Sequence, residues 1–323
     1  MFVRPHFNIG RLVRDPEIKT LFRRIAPGML GAGVYQINMF VDTVLVSLVG
    51  TGAISWLYYA NRMQQLPLGV VGAAIGVALL PILSRQLKTG DNEEARRTQD
   101  KAVEYGILLS LPAAGIGAVW LVPLAEPIIN ILFQHGKFGA HDTVMTANAL
   151  IAYAVGLPLY VVVKALAPNF FARGDTKTPV KYSVVVLIAN IVFALLLMKP
   201  FGHVGIAAAT TLAAVISLWQ YVRGLKKRAY WQFSPELVKK ILLIALSSLL
   251  MGIIMLGIQT GINFGFGNWL AFPVLPKIAV LGLLGILGLA SFLLFAKLTR
   301  VLDISEILKM LKRKRKNNAK VSV

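Results

Sequence analysis

Arg62 and Asp42 are the residues whose chemistry is hardest to explain as packing, because each lies well inside a long apolar stretch. An ionisable side chain is expensive in hydrocarbon unless it faces water or a partner. A guanidinium donates paired hydrogen bonds to two oxygens, which suits a phosphate. The sequence therefore favours a water-filled cavity in which Arg62 receives an anion. The alternative is that Asp42 and Arg62, at matching depth, merely neutralise each other.

The stretch that contains Arg62 is unusually polar for an apolar segment. Its other polar side chains are Ser55, Tyr58, Tyr59, Asn61, Gln64 and Gln65. Pro67 and several glycines follow, a composition that suits bending and close helix packing. These side chains support the hypothesis of a polar cavity around Arg62.

A second group supplies neutral oxygens. Asn190 and Thr210 lie in two further apolar stretches, and with Asp42 they would give hard oxygen ligands for a small monovalent cation. Hydrogen bonds that only hold helices together are the alternative explanation. Apart from this cation the sequence predicts no cofactor and no other metal, since it has no cysteine, and His135 and His141 lack ligand spacing. It has no Walker loop, and nothing indicates an enzyme.

The composition is that of a membrane protein: 56% of the 323 residues are hydrophobic and 15% are charged. A bilayer core needs roughly 20 apolar helical residues to be crossed. We expect an all-α polytopic protein with eight transmembrane helices. The predicted spans are Ile25–Val49, Ile54–Leu83, Val103–Leu121, Val144–Ala167, Val180–Met198, Val204–Tyr221, Leu237–Ile258 and Val274–Ala296.

In a soluble protein, the formal net charge of +20 would suggest binding to nucleic acid. Here, however, the basic residues are concentrated in particular loops between the predicted spans. Twenty-nine of the 34 lysines and arginines lie in alternate connections and at the two ends of the chain. The positive-inside rule makes those segments, and therefore both termini, cytoplasmic. We expect no nucleic-acid partner, and we expect the amphipathic segments at 18–25 and 304–311 to lie on anionic lipid headgroups.

Several ordered motifs closely resemble the MurJ (MviN) lipid II flippases, and together they extend over about residues 20–225. The matching runs are Gly31–Asn38, Ile54–Arg62, Gln65–Gly69, Leu80–Arg85, Leu132–Phe138, Ala149–Tyr153 and Lys164–Val180. The last 100 residues are similar mainly in pattern.

The resemblance implies one lobe of a MOP-superfamily exporter, a fold with two six-helix lobes around a cationic cavity and two further helices that form a groove for a lipid tail. The chain then divides into an interfacial linker, a six-helix lobe, a basic cytoplasmic loop, a two-helix groove and a basic amphipathic tail. Their expected ranges are 1–24, 25–222, 223–240, 241–297 and 298–323. The first lobe is not represented, so the resemblance suggests a fragment, a truncated gene or one part of a split protein.

The resemblance also implies roles for residues. Ser55 and Arg62 match cavity-lining residues that bind substrate, and Gln65 stands where some members have an acidic residue. The expected function is to move lipid II, a polyprenyl-diphosphate, from the inner to the outer leaflet of the bacterial cytoplasmic membrane, without catalysis. The missing lobe is the expected partner if the protein is split. Other MOP transporters, for polyprenyl-linked glycans or drugs, and a non-transporting membrane scaffold are the alternatives.

Overall fold

The computed structural model describes residues 33–34, 36–114, 121–299 and 301, and this part of the chain is helical and contains no strand. The linker predicted at 1–24 and residues 302–323 of the predicted tail lie outside the described residues. The first predicted span is described from residue 33 onward, and the third as far as residue 114. The two amphipathic segments predicted near the termini are likewise outside.

Nine helices are numbered here within the described residues. They are α1 (residues 36–47), α2 (Ala53–Pro67), α3 (Ala73–Lys88), α4 (Asn92–Ala114), α5 (Leu121–Phe133), α6 (Ala140–Phe171), α7 (Lys177–Lys227), α8 (Pro235–Phe266) and α9 (Val274–Leu298). A π-helical turn, Leu68–Gly72, joins α2 to α3, so that Ala53–Lys88 is one continuous rod. A short 3₁₀ helix, Trp269–Ala271, precedes α9.

Five helical segments of the described chain are long and apolar enough to cross a bilayer: the α2–α3 rod, α6, α7, α8 and α9. The 51 residues of α7 do not form one straight helix, because Gly202 has φ 57° and ψ −135°. A Cβ on Gly205 would overlap the carbonyl of Leu197, although residues eight apart in a straight helix are about 12 Å apart. The chain therefore reverses near Gly202, and α7 is a hairpin of two antiparallel arms.

The connection predicted at 122–143 differs from a simple loop, because it contains α5. This helix has 13 residues, about 20 Å at 1.5 Å per residue, which is shorter than a bilayer core. It packs against α6 and α9. The segment is apolar but short and contains Pro127 and Glu126. Its sequence therefore did not predict a membrane span.

Helix α6 lies at the centre of the fold and contacts α2, α3, α4, α5 and α7. Its buried face combines alanines with larger apolar residues, and small residues let helices approach closely. A Cβ on Gly156 would lie 2.8 Å from the hydroxyl oxygen of Thr211, so glycine permits the close contact between α6 and α7. Helices α8 and α9 pack on each other and reach the bundle through α4 and α5.

The predicted basic loop at 223–240 is largely helical, because α7 continues to Lys227 and α8 begins at Pro235. Ser234 caps α8 by accepting a hydrogen bond from the backbone N–H of Leu237 (3.2 Å). The connection is held against α4 by two contacts. Trp231 Nε1 donates to Asp100 (2.6 Å), and Lys240 pairs with Glu104 (2.8 Å).

The same connection is also fixed to the loop between α6 and α7. Arg228 pairs with Asp175 (2.9 Å) and donates to the hydroxyl of Thr178 (2.8 Å). Burial by itself would raise the pKa of Asp175, but hydrogen bonds from Thr178 and the charge of Arg228 outweigh it, and the pKa lies below its ordinary value. The connection is therefore tied to two separate parts of the bundle.

Candidate functional site

The rotation of α2 about its axis is set by contacts with α6. Gln64 is buried and its side-chain amide donates to the carbonyl of Tyr153 (2.8 Å), while Ala60 lies on the same buried face. Trp56 Nε1 donates to Asp142 at the start of α6 (2.7 Å). Residues two positions from Ala60 and Gln64 point about 200° away from them on a helix with 3.6 residues per turn. These contacts direct Arg62 away from α6.

Arg62 lines a cavity of about 180 Å³ between α1 and α2, which we call the arginine cavity. Asp42, Tyr58, Asn61 and Gln65 also line it. The guanidinium lies 5.1 Å from the centre of the Tyr58 ring, and Nη1 donates to Gln65 Oε1 at 3.4 Å. Both partners are neutral, so they orient the cation without cancelling its charge.

The proposed neutralising pair between Asp42 and Arg62 is not formed. Both side chains line the arginine cavity, but within the described residues no ion pair at 4.0 Å or less involves either of them. The donors of Arg62 that do not contact Gln65 therefore have no carboxylate partner in the part of the chain that the structure describes. An oxyanion is the ligand that a free guanidinium suits best.

Ser55 and Gln65 occupy different positions relative to Arg62. Gln65 lines the arginine cavity, accepts from Arg62 and donates from its amide to Asn61. Ser55 is exposed on α2, two helical turns before Arg62 on the same side, and does not line this cavity. The structure thus places Gln65 in contact with Arg62, whereas Ser55 lies on the exposed side of α2, two turns from Arg62.

Asp42 is held by two amides instead of by Arg62. Asn190 Nδ2 donates to Asp42 Oδ1 (2.7 Å) and to Asn38 Oδ1 (3.0 Å), and Asn38 Nδ2 donates to Asp42 Oδ2 (3.1 Å). We call these three side chains the amide–carboxylate triad. Sequence reasoning missed Asn38, although it lies four residues before Asp42, the spacing of neighbours on one helix face.

Thr210 does not join this triad. Its hydroxyl donates to the carbonyl of Ile206 in its own helix (3.2 Å), and its carbonyl accepts from Tyr160 (2.8 Å). The structure therefore brings together two of the three predicted cation ligands, Asp42 and Asn190. Among the described residues, no group of three or more His, Cys, Asp or Glu side chains could hold a metal ion.

A second cavity, of about 210 Å³, lies between the two arms of α7, α6 and α1, and we call it the hairpin cavity. Thr210 and Asn190 both line it, as do Asn38 and Ser217. Asn38 and Asn190 thus face the hairpin cavity, whereas Asp42 faces the arginine cavity. The triad stands between the two.

A bundle of apolar helices that carries an arginine in an open cavity between two of them, with no ion pair to that arginine among the described residues, suits a membrane transporter. Its fold is shared with MOP-superfamily proteins. An outward-facing multidrug MATE transporter aligns with a TM-score of 0.55 at 22% identity, over 90% of this chain and 66% of that one. The family model for the lipid II flippase MurJ matches residues 4–275. The chain belongs to the MurJ family.

Individual relatives agree with this assignment. A probable lipid II flippase MurJ from Rickettsia prowazekii is 40% identical over 66% of this chain and 41% of its own length. The corresponding protein from Rhizobium tropici is 37% identical over 73% of this chain and 44% of its own. A solved lipid II flippase MurJ in an inward closed conformation aligns with a TM-score of 0.72 at 25% identity, over 91% of this chain and 56% of that one.

The chain spans less than half the length of the two curated relatives described above. Its family consists of flippases and not of enzymes. The family, together with the apolar helices, identifies the chain as a polytopic protein of the bacterial inner membrane.

Proposed function

We propose that the chain is part of a lipid II flippase that moves the undecaprenyl-diphosphate-linked peptidoglycan precursor from the inner to the outer leaflet by alternating access. The observation that carries this proposal is the guanidinium of Arg62 in the arginine cavity, which no carboxylate of the described residues neutralises. The diphosphate of such a lipid cannot cross about 30 Å of hydrocarbon without a polar environment. Arg62 supplies charge and paired donors in place of water.

The other substrate contacts follow from where the side chains lie. Gln65 accepts a hydrogen bond from Arg62 through its amide oxygen. Because Gln65 is neutral where some family members have an acidic residue, the full positive charge of Arg62 is left for the diphosphate. Ser55 lies two turns away on the exposed side of α2 and would contact the more distant sugar–peptide part of the head. The polyprenyl tail would remain in lipid along the groove formed by α8 and α9.

A facing lobe completes the cavity in this proposal. The side of α2 that carries Arg62 also exposes Tyr58 (53%) and Leu66 (62%), which is apolar area available to a partner. That lobe belongs either to the same polypeptide or to a separate chain of a split protein. Rocking of the two lobes would expose the cavity first to one side of the membrane and then to the other.

The proposed topology has eight spans with both termini cytoplasmic. The two arms of α7 contribute two spans, and the α2–α3 rod, α6, α8 and α9 contribute four. The remaining two are the predicted spans Ile25–Val49 and Val103–Leu121, whose described residues include α1 and the second half of α4. Basic residues at the cytoplasmic ends would then contact anionic lipid headgroups.

We also propose that a monovalent cation couples to transport at Asp42, Asn190 and Thr210. Asn190 is 1% exposed, and its Oδ1 has no hydrogen-bond partner among the described residues. A buried carbonyl oxygen without a partner is a natural ligand for a cation or its water. A cation at Asp42 would offset the negative charge of a diphosphate bound in the neighbouring arginine cavity.

Binding of lipid II to the chain in lipid nanodiscs tests the role of Arg62. Arg62→Ala removes charge-assisted hydrogen bonds worth roughly 1.5–3 kcal/mol, so the Kd should rise about 10- to 150-fold. Arg85→Ala is the matched control, because Arg85 is an exposed arginine in the last turn of the same rod.

Equal affinities of Arg62→Ala and Arg85→Ala would refute the proposed diphosphate site. Undecaprenyl phosphate and a drug cation serve as competing ligands in the same assay. Preference for the drug cation over lipid II would favour the multidrug type of MOP transporter instead.

A further inference from the structure

The hairpin cavity carries a line of hydroxyl and amide side chains on both arms of α7. Ser183 and Asn190 are seven residues apart on the first arm, and Thr210 and Ser217 are seven apart on the second. Residues seven apart in a helix share a face and are separated by about 10 Å. Because the arms are antiparallel, both lines run in the same direction, from the triad toward the end of the hairpin that carries Lys177 and Lys227.

The lining of this cavity suits a small cation better than an anion. Among its described lining residues there is no lysine or arginine, and the polar members offer oxygen atoms. Hard oxygen ligands of this kind select small hard cations and their hydration water. Tyr160 and Tyr221 also line it and contribute phenol oxygens. The rest of the lining is apolar, but a cavity of about 210 Å³ has room for several waters, and the hydroxyl and amide side chains along it give those waters hydrogen-bond partners.

The amide–carboxylate triad is the point at which this cavity meets the arginine cavity. Asn190 lines the hairpin cavity and donates to Asp42, which lines the arginine cavity. The amide nitrogen of Asn190 donates to Asp42 and Asn38, but its Oδ1 is buried and accepts no hydrogen bond from any residue that the structure describes. An arriving cation or water on the hairpin side would satisfy that oxygen.

We propose that the hairpin cavity is the aqueous route along which a monovalent cation travels between the cytoplasmic side and Asp42, with Asn38 and Asn190 as the gate to the arginine cavity. The inference rests on the cation coupling and the orientation proposed above, and it adds the path and its gate. The cation and the diphosphate thus reach the triad from opposite sides. Their charges attract across it, so binding of either one strengthens binding of the other.

Silver ion tests this route, because Ag⁺ is a monovalent cation that reacts with a thiol and the chain has no native cysteine. Ser217→Cys places a thiol in the hairpin cavity. Val215→Cys is the matched control, because Val215 lies on the same arm, outside this cavity, and is 48% exposed on the surface of the helix. Protection of each cysteine from a maleimide added after denaturation measures the reaction with Ag⁺.

Inverted and right-side-out membrane vesicles in chloride-free buffer separate the two sides. We expect Ser217→Cys to react at least tenfold faster than Val215→Cys when Ag⁺ is on the cytoplasmic side, and more slowly from the other side. Equal rates for the two variants, or faster reaction from the outer side, would overturn the route. Ser183→Cys repeats the test on the opposite arm if Ser217→Cys fails to fold.

Competition with Na⁺ tests where the route ends. Na⁺ should slow the silver reaction of Ser217→Cys, and adding Asp42→Asn should abolish that protection while leaving Ag⁺ entry intact. No protection by Na⁺, or protection that survives Asp42→Asn, would overturn Asp42 as the cation's destination. Lipid II binding by Arg62→Ala is measured separately, so failure of the proposed flippase function is distinguishable from failure of the route.

Discussion

Replacing Gly205 with alanine tests the reversal that makes α7 a hairpin and thereby brings Asn190 close to Thr210. A methyl group at Gly205 would lie 2.6 Å from the carbonyl carbon of Leu197 and 3.1 Å from its Cβ. The carbonyl belongs to the backbone of the facing arm, so a side-chain rotation cannot relieve the overlap. The two arms must move apart.

The size of the effect follows from two opposing contributions. Overpacking typically costs about 1–3 kcal/mol, and a clash with backbone belongs near the upper end of that range. Replacing glycine with alanine inside a helix stabilises the folded state by roughly 0.5–1 kcal/mol. We therefore expect Gly205→Ala to lower the free energy of unfolding by about 1–2 kcal/mol.

Gly257→Ala is the matched control, because it also lies inside a long apolar helix but a Cβ there meets no atom within 4 Å. It should be neutral or stabilising by up to about 1 kcal/mol. Tryptophan fluorescence of both variants, heated in the same detergent at the same rate, gives the apparent Tm. If Gly205→Ala is as stable as Gly257→Ala, the close antiparallel packing of the two arms is wrong.

Two further predictions concern charged groups. Asp42→Asn should make lipid II binding independent of Na⁺, measured as the ratio of Kd values in Na⁺ and in choline, and a ratio unchanged from the wild type would contradict cation coupling. The pKa of Asp175 is lowered from its ordinary value of 3.8 in the folded protein, so its stabilising effect is present above that value and lost as pH falls through the folded pKa. The difference in apparent Tm between the wild type and Asp175→Asn should therefore be constant from pH 7 to 5 and shrink below pH 4; an equal difference at pH 3 would contradict the pair with Arg228.

Much of the fold could be predicted from hydropathy because apolar length is a local property. The predicted spans Val180–Met198 and Val204–Tyr221 correspond to the two arms of α7, and the reversal at Gly202 falls in the gap between them. Helix α5 could not be recognised as a separate element, because a largely apolar stretch of 13 residues that contains Pro127 fits a short helix and a loop equally well.

The sequence identified most residues of the candidate site, but it predicted only some of the contacts between them. Counting residues from a span boundary placed Arg62 and Asp42 at matching depth, and in the structure both line the arginine cavity. The same count suggested a pair between them, but the structure joins Asp42 to Asn190, 148 residues away in sequence. Depth along a helix follows from a fixed rise per residue, whereas the direction of a side chain around the axis depends on what the helix packs against.

The sequence by itself determined that this is a multi-helix membrane protein with an arginine and an aspartate inside its apolar stretches, because composition, span length and the cost of charge in hydrocarbon follow from the local sequence. Only the tertiary structure decided which partners those charges have. The hydrogen bond from Gln64 to α6 rotates Arg62 toward the arginine cavity, and the reversal at Gly202 brings Thr210 beside Asn190. Each depends on contacts between distant segments, which the spacing of residues along one helix cannot specify.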